Sequence, residues 1–531
     1  MGSIFQTFAD AAAAHPHGAF LSASALSGGS QWTYRAALNE VHQLAEAYAA
    51  RGWGHGHRVA LALGNHPRHF LHFLALNAIG ASIVPMNPDH KGAEIRHALG
   101  RARVALAVAD RAQLPALGGA IADDPHLHSM PLVDADAFDH SLPRAQHPRS
   151  ARAGAASDEA AILYTSGTTG LPKGCIITND YIVNAGQWYA GMGGHLQWHH
   201  GEDRLLNPLP AYHMNCGLLS LSCICVTRNC LVLPDRFRAS TWWEDCVKSG
   251  ATAIHYLGIM PPALFKQAPG PWDRAHSVRF GLGAGCDPTL HAAFEERFGL
   301  ALVEVWGMTE TGRLMADHLE PRLRDTRAFG RPKPPLQARV VDEKDQPVPN
   351  GTPGELVVRA EDATPRRCFF AGYLDDEAAT ESAWRGDWFH TGDVVVADDT
   401  GMLFFVDRKK DIIRRSGENI SASEVEAVLA VHPEVSRVAV MPVADAMRDE
   451  EVLAVVVPVD MASADAALAQ RLFAHCSAQL AYYKAPGWIR FMPDVPVTPT
   501  NKIQKTRIFA AGTDPCVGAL DLRQHKTRQR P

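Results

Sequence analysis

Short runs of Val, Ile, Leu and Ala bounded by Gly or Pro alternate along this chain with longer amphipathic segments. His57-Arg58-Val59-Ala60-Leu61-Ala62-Leu63, followed by Gly64-Asn65, predicts a buried strand. Phe70 to Ile79 continues as an apolar helix, and Ala81-Ser82-Ile83-Val84-Pro85 predicts the next strand. Ala160-Ala161-Ile162-Leu163 is a further buried run. The alternation predicts α/β layers with largely parallel sheets. The Ala/Gly/Arg/Pro-rich span from Ser141 to Ser157 reads as a surface connector. From Gln337 to Arg359 the period changes. Ala338-Arg339-Val340-Val341-Asp342, the turn Pro349-Asn350-Gly351 and Gly354-Glu355-Leu356-Val357-Val358-Arg359 predict a small antiparallel β subdomain. Asp407-Arg408-Lys409-Lys410-Asp411 is a charge run between two apolar strands. Beyond it, a helix over Ser423 to Leu429 and strands over Val435 to Val440 and Val452 to Val459 make an α+β unit of about 120 residues.

With 531 residues the chain has room for two or more domains. Its 46% hydrophobic and 20% charged residues are ordinary for a soluble globular protein. A formal charge of −6, from 51 basic and 57 acidic residues, argues against a nucleic-acid or anionic-membrane partner. The opening Met1-Gly2-Ser3-Ile4-Phe5-Gln6 has no basic region leading into an apolar run, and no segment of about 20 apolar residues occurs, which predicts a cytoplasmic protein. Ten scattered cysteines predict reduced, mostly buried thiols. His199-His200 beside Glu202 and Asp203 reads as a polar loop rather than a metal site.

The densest chemistry lies in Tyr164-Thr165-Ser166-Gly167-Thr168-Thr169-Gly170-Leu171-Pro172-Lys173-Gly174, with three glycines, four Ser/Thr hydroxyls and one lysine in eleven positions. Glycines let the backbone approach an anion and turn N–H groups toward it; hydroxyls add donors and lysine adds charge. That composition, straight after a buried run, suits a phosphate cradle better than a bland surface loop. It is not a Walker-type loop, because Pro172 precedes Lys173 and Gly174 follows it.

The segment resembles the signature loop of the adenylate-forming (AMP-binding) superfamily, which includes acyl-CoA synthetases, adenylation domains of peptide synthetases and luciferase-like enzymes. Five further landmarks follow in order, the last near residue 505. Asn207-Pro208-Leu209-Pro210-Ala211-Tyr212-His213-Met214-Asn215 resembles the second, and the resemblance places the His213 ring beside the reacting carboxylate. Val305-Trp306-Gly307-Met308-Thr309-Glu310-Thr311 resembles the third. It implies that Trp306 stacks on adenine, that Thr309 bonds phosphate and that Glu310 holds Mg²⁺. Asp393, after Trp388-Phe389-His390-Thr391-Gly392, and Arg408 resemble the family's ribose clamp, and Lys410 falls at its hinge. Ser416-Gly417 resembles the loop that lets the pantetheine arm pass, with Ser416 where relatives often carry a first glycine. Lys502, within Pro499-Thr500-Asn501-Lys502-Ile503-Gln504-Lys505, matches the adenylation lysine; Lys505 is the competing candidate.

The resemblance thus implies a carboxylate activated by ATP with Mg²⁺ and passed to coenzyme A. Catalytic roles fall to Lys502, His213, Thr309 and Glu310, and nucleotide binding to Thr165, Ser166, Gly167, Thr168, Thr169, Gly170, Lys173, Trp306, Gly307, Asp393 and Arg408. Tyr483 and Lys484 sit where relatives hold the nucleotide end of CoA. Trp188, His213, Gly283, Ala284 and Arg313 line the acyl pocket. An arginine there suits an acid with a second anionic group, unless it points to solvent or pairs with Asp317. The expected fold is a large N-terminal domain, residues 1–409, of two α/β subdomains plus a small β subdomain, with a mobile α+β C-terminal domain, residues 410–531. Transfer to a carrier protein, and carnitine-like or fatty acids as substrates, are the alternative readings. The oligomeric state is left open, a homodimer included.

Overall fold

The Val59-Ala60-Leu61-Ala62 run is buried residue after residue, as a strand covered on both faces must be. A computed structural model of the chain describes residues 2–138, 142–165, 172–361, 363–415, 418–445, 448–498, 503–510 and 512–526. In it β1 (Arg58–Ala62) pairs in parallel with β2 (Ser82–Pro85) and with Leu106–Ala109. β2 pairs in parallel with β3 (Glu159–Thr165), and β3 turns back antiparallel into β4 (Lys173–Thr178). The sheet has seven strands in the order Gly372–Tyr373, β4, β3, β2, β1, Leu106–Ala109 and Leu132–Asp134. Helix α1 (Pro67–Ala78) begins three residues before the apolar run predicts. Pro67 occupies its first turn and His66 accepts the Arg68 N–H at 3.1 Å, so a polar start was invisible to apolar periodicity. Helix α2 (Asn179–Ala190) leaves β4 with Thr178 as its cap.

A second sheet of eight strands is parallel through its centre, where β5 (Phe280–Ala284) lies between Ala253–Leu257 and β6 (Ala301–Gly307). β7 (Leu314–Ala316) closes one edge antiparallel to β6. Each sheet carries its own core: Ala60, Val84, Leu99 and Ile162 around the first, Val232, Ile254, Leu302 and Phe294 around the second. These are two α/β subdomains, as the alternation predicts for their layers and the family resemblance for their number.

Contacts group Met1–Ala338 with Val358–Phe389 as one compact unit, and Arg339–Val357 with His390–Pro531 as another. In the second unit, β8 (Trp388–Ala397, its first two residues in the first unit) and β9 (Leu403–Arg408) form an antiparallel hairpin, the core of the small β region. Then come β10 (Ile412–Arg415), β11 (Glu418–Ser421), α3 (Ala422–Ala430), β12 (Val435–Asp445), β13 (Asp449–Pro458), α4 (Ala466–Gln479), β14 (Trp488–Phe491) and β15 (Leu520–Asp521). Their sheet runs β11-β10-β13-β14-β15, with β12 paired to β13. The β12–β13 hairpin outruns its apolar run because Val443, Ala444 and Asp445 pair with Glu451, Glu450 and Asp449. Among the described residues no helix is long and apolar enough to cross a membrane, and the ten cysteines are free, nine of them buried.

Buried histidines give the fold a pH dependence. His69, His72 and His255 are at most 1% exposed. Burial holds them down to about 4, about 3 and about 3, so they are neutral in the folded protein. The unfolded chain protonates them near 6.5, so acid pulls the equilibrium toward unfolding, by about 2 kcal/mol per histidine at pH 5. The melting temperature should therefore fall as pH drops from 7 to 5, and fall less in His255→Gln. A flat profile over that range would contradict the burial of these rings.

Candidate active site

β3 and β4 stand in antiparallel register, with Thr165 opposite Lys173 and Tyr164 opposite Gly174. Ser166, Gly167, Thr168, Thr169 and Gly170 lie outside the described residues. The two ends are described. Lys173 Nζ sits 5.0 Å over the Tyr373 ring and 3.9 Å from Asp376 Oδ2. Thr165 Oγ1 lies 3.8 Å from Cys175 Sγ, and that thiol points at Glu310 Oε1, also at 3.8 Å.

Glu310 reaches this spot because β6 and β7 are a hairpin. Gly307 pairs with Leu314, which leaves Met308 to Arg313 as the loop between them. Thr311 Oγ1 donates within that loop, to the carbonyls of Met308 and Arg313 at 3.1 Å each. Gly312 has φ +63, and a Cβ there would lie 2.6 Å from the Tyr181 ring, so only glycine fits. Tyr181, from α2, donates to the Thr309 carbonyl and lies 3.6 Å from Met214 Sδ, joining this loop to the segment that follows His213. Glu310 is buried, and Tyr373 Oη donates to its Oε1 at 3.0 Å. Trp306 is also buried, its ring 6.3 Å from Phe329, while Gly307 is exposed. Among the described residues no group of three or more His, Cys, Asp or Glu side chains is placed to hold a metal. One carboxylate is what Mg²⁺ needs from a protein when nucleotide phosphates and water complete its shell, and Glu310 fits that arrangement.

His213 occupies the cap position before the π-helical turn Met214–Ser220. Burial, with His90 nearby, pushes its imidazole down to about 4, so the ring is neutral. A polar network fixes the turn. Asn207 Nδ2 donates to Asn215 Oδ1 at 2.9 Å and to Ser220 Oγ at 3.0 Å, and His255 bridges Asn215 and Tyr189. Trp188 and Arg313, far apart in sequence, are brought together. The Arg313 guanidinium lies between the Trp188 and Phe369 rings, 5.7 and 5.4 Å from their centres. Trp188 Nε1 donates to the Leu314 carbonyl at 2.8 Å, and Arg313 Nη2 to the Arg367 carbonyl at 3.0 Å. Arg313 is 4% exposed and does not point to solvent. Asp317 accepts the Leu323 N–H at 2.8 Å. Gly283 has no room for a Cβ, which would lie 2.4 Å from the Tyr256 carbonyl. Ala284 ends β5 exposed, and Glu304 holds the next two N–H groups, of Gly285 and Cys286, at 2.8 and 3.0 Å.

In the second unit Asp393 and Arg408 are directly opposed across the β8–β9 hairpin, with Arg408 Nε 2.8 Å from Asp393 Oδ1. Lys410 lies in a 3₁₀ turn, Lys409–Asp411, between β9 and β10. Lys484 is paired with both oxygens of Glu424 at 2.7 Å, and Tyr483 packs against the α3/α4 core. Lys505 pairs with Glu426 at 2.9 Å and lies 3.9 Å from Asp411. Ser416, Gly417 and Lys502 lie outside the described residues.

Tyr373, Cys175, Tyr181 and Phe369 were missed from sequence. Tyr373 stands in a two-residue strand whose register against β4, Tyr373 opposite Cys175, is what aims it at Glu310. No local pattern carries that information.

The family model described as AMP-binding enzyme matches residues 8–374, and that of the AMP-binding enzyme C-terminal domain matches residues 424–502. The crotonobetaine/carnitine–CoA ligase of Proteus mirabilis (strain HI4320) is 31% identical over 503 residues, covering 90% of this chain and 93% of that protein. A sulfoacetate–CoA ligase from Cupriavidus necator is 32% identical over 490 residues, covering 90% and 92%. The fold is shared with ATP-bound MatB from Rhodopseudomonas palustris, at TM-score 0.80 and 24% identity over 95% of this chain and 98% of that one. The chain belongs to the AMP-binding enzyme family, among its acyl-CoA ligases.

Proposed function

We propose that this ligase activates a short or aromatic acid carrying a second anionic group, forming an acyl-adenylate with release of pyrophosphate and then a thioester with coenzyme A. The observation that carries this reading is the Arg313 guanidinium, buried between two ring faces beside α2. A desolvated, oriented guanidinium favours a carboxylate or sulfonate, which it can grip through two parallel N–H bonds, and disfavours a fixed cation. The relative named for sulfoacetate supports an acid of this kind. The relatives named for crotonobetaine and carnitine support the other reading, a quaternary ammonium acid, which the same guanidinium would repel. Pyrophosphate release measured acid by acid decides. Short dicarboxylates, sulfonated acids and aromatic diacids should be turned over, and efficient turnover of plain fatty acids or of carnitine would sink the proposal.

In the first half-reaction a carboxylate oxygen attacks the α-phosphorus as the bond to pyrophosphate breaks. Lys502 would bridge carboxylate and α-phosphate oxygens, and Lys173 with Thr165, Ser166, Thr168 and Thr169 would hold the phosphates. Bound Mg²⁺ would offset phosphate charge, with Glu310 as its protein ligand, aimed by Tyr373. Thr309 would add a phosphate donor, Trp306 would stack on adenine, with Gly307 beside it on the nucleotide, and Asp393 with Arg408 would take the ribose. The neutral His213 ring stands by the carboxylate without competing for its charge. In the second half-reaction the CoA thiol loses its proton and attacks the carbonyl, and AMP leaves. Rotation about Lys410, at the boundary of residues 1–409 and 410–531, would exchange Lys502 for Ser416 and Gly417. The competing acceptor is the phosphopantetheine arm of a carrier protein, and thioester formation with free CoA tells the two apart. We place the enzyme in the cytoplasm, on its free cysteines, and without nucleic-acid or membrane partners, on its net charge of −6.

Tyr483 and Lys484 would hold the nucleotide end of CoA. Lys484→Glu should raise the KM for CoA and leave that for ATP unchanged. Because Lys484 also pairs with Glu424, the exchanged pair Glu424→Lys with Lys484→Glu separates the roles. It should restore thermal stability but not the KM. An unchanged CoA response in both would place the nucleotide handle elsewhere.

A further inference from the structure

Arg415, Glu451 and Lys526 meet inside the second unit. Their side chains are 5%, 0% and 0% exposed. Glu451 Oε1 accepts Lys526 Nζ at 2.6 Å and the Val452 N–H at 2.9 Å, while Arg415 Nε lies 2.9 Å from Oε2 and 3.0 Å from Oε1. The carboxyl occupies the space where residue 487 would carry a Cβ, which would lie 2.5 Å from Glu451 Cδ, so that position holds glycine.

Three distant parts of the chain are bolted here. Arg415 ends β10, where it stands opposite Glu418 of β11, with Ser416 and Gly417 between them. It is also in register with Asp449 of β13. Lys526 follows the segment in which Leu522 donates to the Gly487 carbonyl at 2.8 Å. Burying two cations on one carboxylate is no efficient route to stability, since well-packed apolar groups serve as well or better. What the arrangement supplies is a fixed position for Arg415, the strand end from which the chain passes to Ser416 and Gly417.

We propose that the buried Arg415–Glu451–Lys526 triad is a positioning device for the end of β10 in thioester formation, with Lys526 as the charged tether. The proposal rests on the reading that Ser416 and Gly417, next in the chain, serve the second half-reaction. It implies a pH dependence. Burial pushes the Lys526 ammonium down to about 8, Glu451 and Asp445 oppose the shift, and Arg415 adds to it. Arg448 faces Glu451 at 3.6 Å, and Arg523 holds Asp445 at 2.8 Å. As pH rises through about 8, Lys526 loses its charge and Glu451 keeps only its arginine partners.

The test separates the half-reactions, using the acid with the highest kcat/KM in the pyrophosphate-release panel. Adenylation is read by ATP–pyrophosphate exchange, and thioester formation by CoA consumption from isolated enzyme-bound acyl-adenylate. Lys526→Met should slow thioester formation on the order of tenfold and leave exchange within about twofold. Lys526→Arg should recover much of the loss. The ratio of wild-type to Lys526→Met thioester rate should fall as pH rises through 8, because the wild type then loses the same charge. Equal loss in both half-reactions, with a lowered melting temperature, would mean a merely structural triad and overturn the proposal. Gly417→Leu is the control on the underlying reading. If it slows thioester formation and Lys526→Met does not, the tether is wrong; if Gly417→Leu has no effect, Ser416 and Gly417 do not serve that step.

Discussion

Lys502→Ala should lower acyl-adenylate formation by about 10²- to 10³-fold, while thioester formation from supplied acyl-adenylate should stay within a few-fold of wild type. The first step moves charge onto oxygens around the α-phosphorus, where a positioned ammonium counts most; the second expels AMP and needs no such bridge. The competitor for this role was Lys505, and the structure gives that lysine other work. Its ammonium pairs with Glu426 and lies near Asp411, within the second unit. Lys505→Ala should accordingly affect stability more than exchange. ATP–pyrophosphate exchange and CoA consumption, run on both variants, check this. Equal loss in both half-reactions for Lys502→Ala would show that it is not the adenylation lysine or that the domain does not rotate.

Arg313→Leu should cut kcat/KM on an acid with a second anionic group by about 3 kcal/mol, roughly a hundredfold, the scale of breaking a buried charge pair. Leucine keeps apolar contact between the Trp188 and Phe369 rings but loses the bond to the Arg367 carbonyl, so the melting temperature of the variant is measured beside its kinetics. The same variant should gain on an uncharged analogue of equal size, because that analogue no longer meets a desolvated cation. Paired kcat/KM values for the two acids, in both proteins, give the result. A loss shared equally by both acids would mean that Arg313 holds the β6–β7 loop and does not read the substrate.

Much of the fold was legible because it rests on local periodicity. Continuous apolar runs such as Val59 to Ala62 became buried parallel strands, and the change of period after Gln337 marked the antiparallel region. Parts of the site were legible because hairpins turn sequence spacing into contact. The fifteen positions from Asp393 to Arg408 are the length of one hairpin, so the two face each other. Trp188 and Arg313 were paired by resemblance alone, and the structure brings them together. What stayed hidden depends on register between distant strands. Tyr373 reaches Glu310 only because a two-residue strand docks on β4. Glu451 lies in the polar run Arg448-Asp449-Glu450-Glu451, and its buried cations come from 36 and 75 positions away. Helix α1 was misjudged at its start because its first turn is polar and its signal is a cap, not a stripe.

The central claim, that the substrate carries a second anionic group read by Arg313, is tested most directly by internal competition. One mixture would hold ATP, Mg²⁺, CoA and equal concentrations of succinate, sulfoacetate, an aromatic diacid, butyrate, octanoate and carnitine, with the CoA thioesters resolved by mass spectrometry. Product ratios then report relative kcat/KM in a single tube. The account predicts that thioesters of the doubly anionic acids dominate with the wild type, and that butyryl-CoA overtakes them with Arg313→Leu. Octanoyl-CoA or carnitinyl-CoA as the main wild-type product would contradict it.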